Sequence, residues 1–168
     1  SNFAAIHIVQ AQYEAKNRNF LGLVSEQSLY NLRDRTIELE IIPACKEFGI
    51  GLIPWSPLAG GLLGGIIEKN QSVRRNADLA QKSLTKHYAQ VENYEKLCKS
   101  LGENPANVAL AWLLNNPVVT APIIGPRTMD QMVDSMQSLN IELTDEVLQR
   151  LDEIWPGPGG QAPEAYAW

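Results

Sequence analysis

Short apolar runs of strand length alternate along this chain with longer stretches of helical periodicity, and that alternation restricts the fold more than any other feature. Leu21-Gly22-Leu23-Val24 leads into Ser25-Glu26-Gln27 and predicts a short buried strand. Residues 31–34 turn the chain. Leu39, Ile42, Ala44 and Cys45 then form the stripe of a helix expected from about Ile37 to Phe48, which Gly49 is placed to end. Gly51-Leu52-Ile53-Pro54-Trp55 resumes a strand, and Ser56-Pro57-Leu58-Ala59-Gly60-Gly61 breaks it with turn-forming residues. A third strand is expected at Ala121-Pro122-Ile123-Ile124, closing at Gly125.

Helices fill the intervals. One is expected from Ala4 to about Lys16 with Ser1 or Asn2 as its N-cap, so the chain reads as opening on the end of a preceding strand or loop. Another runs from about Lys86 to Leu101 and stops at Gly102. Asn104-Pro105 starts the next, with Val108, Ala111 and Trp112 on one face and Asn115-Asn116-Pro117 as its end. Thr128-Met129-Asp130-Gln131 has capping-box spacing and opens a helix to about Leu139. A last amphipathic helix is expected from about Asp145 to Ile154. The polar stretch from about Ile66 to Thr85 predicts a long surface loop, and alternating Pro and Gly from Pro156 to Gly160 an irregular tail. The fold class is α/β, with βα units and a parallel sheet. A closed (β/α)₈ barrel needs eight strands and roughly 250 residues. A chain of 168 residues with three strands supplies part of one, and an open doubly wound sheet fits the same pattern.

Composition narrows the function. The content of 45% hydrophobic and 20% charged residues is that of a globular domain. No run approaches the roughly 18 apolar residues that span a bilayer, and Ser1-Asn2-Phe3 does not begin a secretion signal, so neither membrane nor export is expected. A net charge of −5 with dispersed Lys and Arg lacks the basic footprint of a nucleic-acid binder. Cys45 and Cys98 sit in helical stretches without metal-ligand spacing and read as reduced, mostly buried thiols of a cytoplasmic protein. His7 and His87 stand alone and read as ordinary helix residues, so no metal site is expected.

Four stretches carry recognisable chemistry: Ser1-Asn2-Phe3, Glu26-Gln27-Ser28-Leu29-Tyr30-Asn31, Trp55-Ser56-Pro57-Leu58-Ala59-Gly60-Gly61, and Ile123-Ile124-Gly125-Pro126-Arg127-Thr128 with Gln131. In order and spacing they resemble the aldo-keto reductase family, close to its bacterial oxidoreductases and its potassium-channel β-subunit branch. The resemblance implies the C-terminal half of a (β/α)₈ TIM barrel, with residues 1–168 running from the end of strand 5 through helix 8 and the tail. It also implies an NADP(H) cofactor.

Neutral amides and hydroxyls at Ser1, Asn2 and Gln27 match the donor and acceptor of a nicotinamide carboxamide. Capping of the first helix is the competing role for Asn2. Trp55, past a strand end, can stack on the nicotinamide; as a bare residue it reads more readily as core, and the family position, where an aromatic residue usually stacks, reverses that. Ser56, Pro57, Leu58, Ala59 and Gly60 form a loop whose main chain can approach a pyrophosphate. Gly125 and Arg127 lie where the last strand gives way to a helix, and a guanidinium there can clamp the adenosine 2′-phosphate. Gln131 and, one turn on, Ser135 face the adenosine, although the capping-box position would turn Gln131 back toward Thr128. The family often carries a Lys or Tyr shortly after the seventh-strand glycines. Here Ile66-Ile67 stands there, and Arg74 or Arg75 is the expected substitute.

The family's Asp, Tyr, Lys and His tetrad belongs to the first four strands, so no catalytic residue is assigned in this chain, Tyr30 and Tyr88 included. The complete protein implied is a reductase of aldehydes or ketones to alcohols, with a small-molecule carbonyl substrate. The missing N-terminal half of the barrel is this chain's partner, and the chain alone is expected to be inactive. The alternative is a non-catalytic NADP(H)-binding regulatory subunit resembling potassium-channel β subunits.

Overall fold

The computed structural model describes residues 1–68, 77–163 and 165. Its elements are α1 (Ala5–Asn17), β1 (Ser25–Glu26), a 3₁₀ turn at Thr36–Glu38, α2 (Ile41–Phe48), β2 (Gly51–Leu52), a 3₁₀ turn at Ala59–Gly61, α3 (Ala77–Leu101), α4 (Pro105–Leu114), α5 (Met129–Met136), a 3₁₀ turn at Gln137–Asn140, and α6 (Asp145–Ile154).

β1 and β2 pair in parallel, Ser25 opposite Gly51 and Glu26 opposite Leu52, and parallel bridges extend the set at Leu29–Trp55 and Leu52–Val119. Outside the named strands, Asn2 N–H donates to Gln27 carbonyl at 2.9 Å, and Ile123 N–H to Pro54 carbonyl at 2.8 Å. Four staves therefore lie side by side in chain order: residues 1–3, 24–29, 51–55 and 118–123. Along β1 the burial alternates, Glu26 and Ser28 buried, Ser25 and Gln27 exposed. One face is thus covered by helices and the other is open. α1 packs on α2, α4 on α3 and α5, and α6 on α3. One apolar cluster joins them, including Ile8, Ile42, Leu52, Val91, Tyr94, Trp112, Leu113, Leu151 and Trp155. This mixed α/β arrangement with a few short parallel strands is consistent with a partial barrel.

Several local expectations hold. Asn104 caps α4 by accepting from Ala106 N–H, with Pro105 at the first helical position. Gly49 ends α2 at φ 64°, a conformation that costs a glycine little. Cys45 and Cys98 are buried free thiols. α6 spans the residues expected of it.

Others are corrected. Neither Ser1 nor Asn2 caps α1; Ala4 holds that position and no side chain caps it, because Asn2 is tied into the neighbouring stave. Leu21, Leu23 and Val24 are exposed rather than a buried strand. The side-chain amide of Gln12 occupies both the N–H and the carbonyl of Leu23, at 2.7 and 3.2 Å, so ladder pairing begins only at Val24. Helix α3 starts at Ala77, nine residues before the expected start (86 − 77), within the stretch expected as loop, and bends at His87 (φ −114°, ψ 19°). Strong helix formers at Ala77, Leu79, Ala80 and Gln81 account for the early start. The last stave is paired from Val118, since Leu52 both donates to Val118 carbonyl (2.9 Å) and accepts from Thr120 N–H (2.8 Å). Pro122, having no N–H, weakens the segment expected to be the strand.

Candidate functional site

The exposed ends of the first three staves meet at a small polar cluster. Ser1 Oγ donates to Gln27 carbonyl at 3.0 Å, Asn2 N–H donates to the same oxygen, and Trp55 Nε1–H donates to Asn2 Oδ1 at 3.1 Å. Asn2 is held at φ 55°, a left-handed backbone that asparagine tolerates better than most residues. Its carbonyl-type oxygen is consumed by the indole, so its NH₂ remains available as a donor. Trp55 is half-buried, gripped at its indole edge, which leaves the ring face unconstrained by that bond.

Beyond Trp55 the loop turns sharply: Ser56 has φ 54°, Ala59 φ 49° and Gly60 φ 70°. Two non-glycine residues in that region within four positions are costly to hold. Asn31 supplies much of the support. Fully buried, it donates from Nδ2 to Ser56 carbonyl (3.0 Å) and to Asp34 Oδ2 (3.1 Å), and its Oδ1 accepts from Arg33 and Asp34 N–H. Space opens over the loop, for no atom lies within 4 Å of where a Cβ would stand at Gly60, Gly61 or Gly125. Pro57 is buried and Leu58 packs on the core, so they anchor the loop rather than present side chains.

The fourth stave runs through Gly125 to Arg127 and the start of α5, all exposed. Thr128 caps α5 by accepting from Gln131 N–H at 3.2 Å. Gln131 does turn back, but one residue further than the capping box predicts: its Oε1 accepts from Arg127 N–H at 2.8 Å. Ser135 Oγ donates to Gln131 carbonyl at 2.7 Å. Both side chains named for adenosine contact are therefore already bonded, Gln131 to the Arg127 backbone just before α5 and Ser135 within α5. Arg74 and Arg75 lie outside the described residues.

Two clefts lie elsewhere, one between α1 and α2 (Ile6, Val9, Pro43, Phe48), the other between α4 and the 3₁₀ turn after α5. Tyr30 belongs to the helix layer. It is buried, its hydroxyl donates to Glu38 Oε1 at 2.8 Å, and burial followed by the Glu38 charge raises it far above the ordinary tyrosine range. Among the described residues no group of three His, Cys, Asp or Glu is placed to hold a metal ion, and no helix is long and apolar enough to cross a membrane.

Sequence reasoning passed over two residues that build this site. Asn31 was visible as the Asn of an Asn-x-x-Asp turn, and Glu26 as a carboxylate inside a strand otherwise expected to be buried.

A family model described as the aldo/keto reductase family matches residues 1–156. An "Uncharacterized oxidoreductase YrpG" of Bacillus subtilis (strain 168) is 54% identical over 168 residues, 100% of this chain and 51% of that protein. The versiconal hemiacetal acetate reductase of Aspergillus parasiticus is 33% identical over 159 residues, covering 91% of this chain and 46% of its own. A "Probable voltage-gated potassium channel subunit beta" of rice (Oryza sativa subsp. japonica) is 31% identical, covering 92% and 50%. The chain spans about half the length of the curated relatives it matches.

Proposed function

Because the chain belongs to the aldo/keto reductase family, we propose that residues 1–168 form the C-terminal half of a (β/α)₈ barrel, from the end of strand 5 through helix 8 and the tail. We further propose that the complete protein is a cytoplasmic NADP(H)-dependent oxidoreductase that reduces aldehydes or ketones to alcohols. The observation that carries this reading is the cluster in which Asn2 Oδ1 accepts from Trp55 Nε1 while Asn2 and Ser1 are both tied to Gln27 carbonyl. An aromatic face beside free amide donors suits a nicotinamide.

The residues present fit the cofactor. Bound there, NADPH supplies the hydride. Asn2 Nδ2 and the Gln27 amide hold the carboxamide, and Trp55 covers one ring face, leaving the other for substrate. The Ser56 to Gly60 main chain admits the pyrophosphate where no Cβ intrudes. Arg127, exposed at the start of α5, pairs with the 2′-phosphate; Gly125 permits the approach, and Gln131 and Ser135 border the adenosine. Arg75 is the loop's further cation. The general acid comes from the N-terminal half, so this chain binds and orients while its partner half delivers the proton.

Titrating the full-length protein with NADPH tests this. Trp55 fluorescence should be quenched, and Trp55→Ala should weaken NADPH without loss of folding. A variant that instead loses several kcal/mol of stability and keeps its affinity would make Trp55 a core residue and remove the reading's main support. The rice relative's name favours a second reading, an NADP(H)-binding subunit of a potassium channel. Tetrameric assembly on a channel is its requirement, and a monomeric or dimeric full-length protein excludes it.

A further inference from the structure

Glu26 is 4% exposed, with the Ser1 backbone nitrogen 4.0 Å from its Oε2 and no Lys or Arg of the described residues paired with it. Its Oε1 accepts from Phe3 N–H at 3.2 Å and from Ser28 Oγ at 2.9 Å, and Ser28 is itself buried. A carboxylate taken from water is expensive to bury and persists where hydrogen bonds are aimed at it.

Phe3 follows Asn2, the residue whose left-handed backbone (φ 55°) turns its side chain to Trp55. On one side Asn2 is pinned through its own N–H to Gln27 carbonyl; on the other the chain is pinned through Phe3 N–H to Glu26. Glu26 and Gln27 are neighbours on one stave, pointing to opposite faces. The buried one therefore fixes the backbone that the exposed one shares with Asn2. We infer that Glu26 is a positioning residue: from behind the stave ends its carboxylate locks the strained Asn2 turn and so orients Asn2 and Trp55 toward the nicotinamide. The inference rests on the cofactor reading above. It concerns the nicotinamide end alone, since Arg127 and α5 are reached by other staves.

Two probes separate the ends of the site in the full-length protein: NADPH, which occupies both, and adenosine 2′,5′-bisphosphate, which occupies only the adenosine end. Glu26→Leu should weaken NADPH by about tenfold or more, the worth of a hydrogen bond to a charged group. The bisphosphate should hold within about twofold, and Glu26→Gln, which keeps an acceptor oxygen, should recover much of the loss. If Glu26→Leu does not fold, Ser28→Ala carries the test by loosening the carboxylate, with a roughly two- to tenfold loss for NADPH alone. Unchanged NADPH affinity in the folded variants, or equal weakening of both probes, overturns the assignment and leaves Glu26 a fold residue. Failure of the wild-type protein to bind either probe overturns the cofactor reading itself, and this assignment with it.

Discussion

At the residue scale, burial sets which side chains can act. Burial pushes the Cys98 thiol up to about 12, with the Glu95 charge adding to it, and pushes Cys45 up to about 11, with Glu26 adding to it. Both thiols are therefore neutral in the folded protein at any ordinary pH, and alkylation of native protein at pH 8 should be slow, accelerating only on unfolding. The linkage has a definite sign. An acid whose folded pKa is raised keeps its proton while the unfolded chain loses it. Stability is thus undiminished below about pH 9 and falls between there and pH 11 to 12. Thermal melts across that window check it, and Cys98→Ala should flatten the decline. Arg127 is the contrasting case, exposed and tied only through its backbone N–H. Arg127→Ala should cost NADPH roughly ten- to hundredfold, the worth of about 1.5–3 kcal/mol, and NADH little, because the two differ by the 2′-phosphate. Equal loss of both cofactors would remove the preference for NADP(H).

At the scale of elements, helix ends and their ties decide what is held. Thr128 is the cap of α5, and Thr128→Ala should cost about 1 kcal/mol and fray the turn that carries Gln131 and the Arg127 backbone. Weakened NADPH binding should accompany the lowered melting temperature. A second tie joins the turn before α2 to α6. Arg35 reaches Glu38 at 2.7 Å, Asp152, and Trp155 carbonyl at 3.1 Å, with its guanidinium 5.1 Å from the centre of the Trp112 ring. A Cβ at Gly157 would stand 2.6 Å from Arg35 Cζ, and a guanidinium held by two carboxylates yields poorly. Gly157→Ala should therefore destabilise by about 1–3 kcal/mol. The penalty should largely vanish in an Arg35→Ala background, the signature of direct coupling in a double-mutant cycle.

The whole molecule leaves much apolar surface uncovered. Leu21 is 85% exposed, Met129 70%, Phe20 68% and Val133 58%, far more than isolated surface residues on a finished domain would show. Met129 and Val133 lie on α5, beyond the last stave, and Phe20 and Leu21 on the segment that leads into the second. The proposal of a half barrel accounts for them as surface meant for the other half, and it leaves the outer staves with open edges as well. Residues 1–168 expressed alone should self-associate or aggregate and reduce no carbonyl compound, and co-expression with an N-terminal half should restore a monodisperse species. A monomeric, cooperatively unfolding chain with its own NADPH-dependent activity would contradict that.

What the amino-acid sequence determined by itself is what depends on near neighbours. The Asn104-Pro105 start of α4, the Thr128 cap, the Gly49 stop and the order of strands and helices were all legible, because each rests on contacts within a few residues. The four motif stretches were legible too, and with them the family. Tertiary structure decided the rest. The last stave starts at Val118 because Leu52 lies opposite Val118 to Thr120, and it pairs again at Ile123 beyond Pro122. Asn2 left its place as a cap because Gln27 and Trp55 claimed its backbone and side chain. Asn31 and Glu26, both buried, became the supports of the exposed cluster. Each of these pairings joins residues at least 23 positions apart in the chain, a distance that local propensity does not reach and only packing can close.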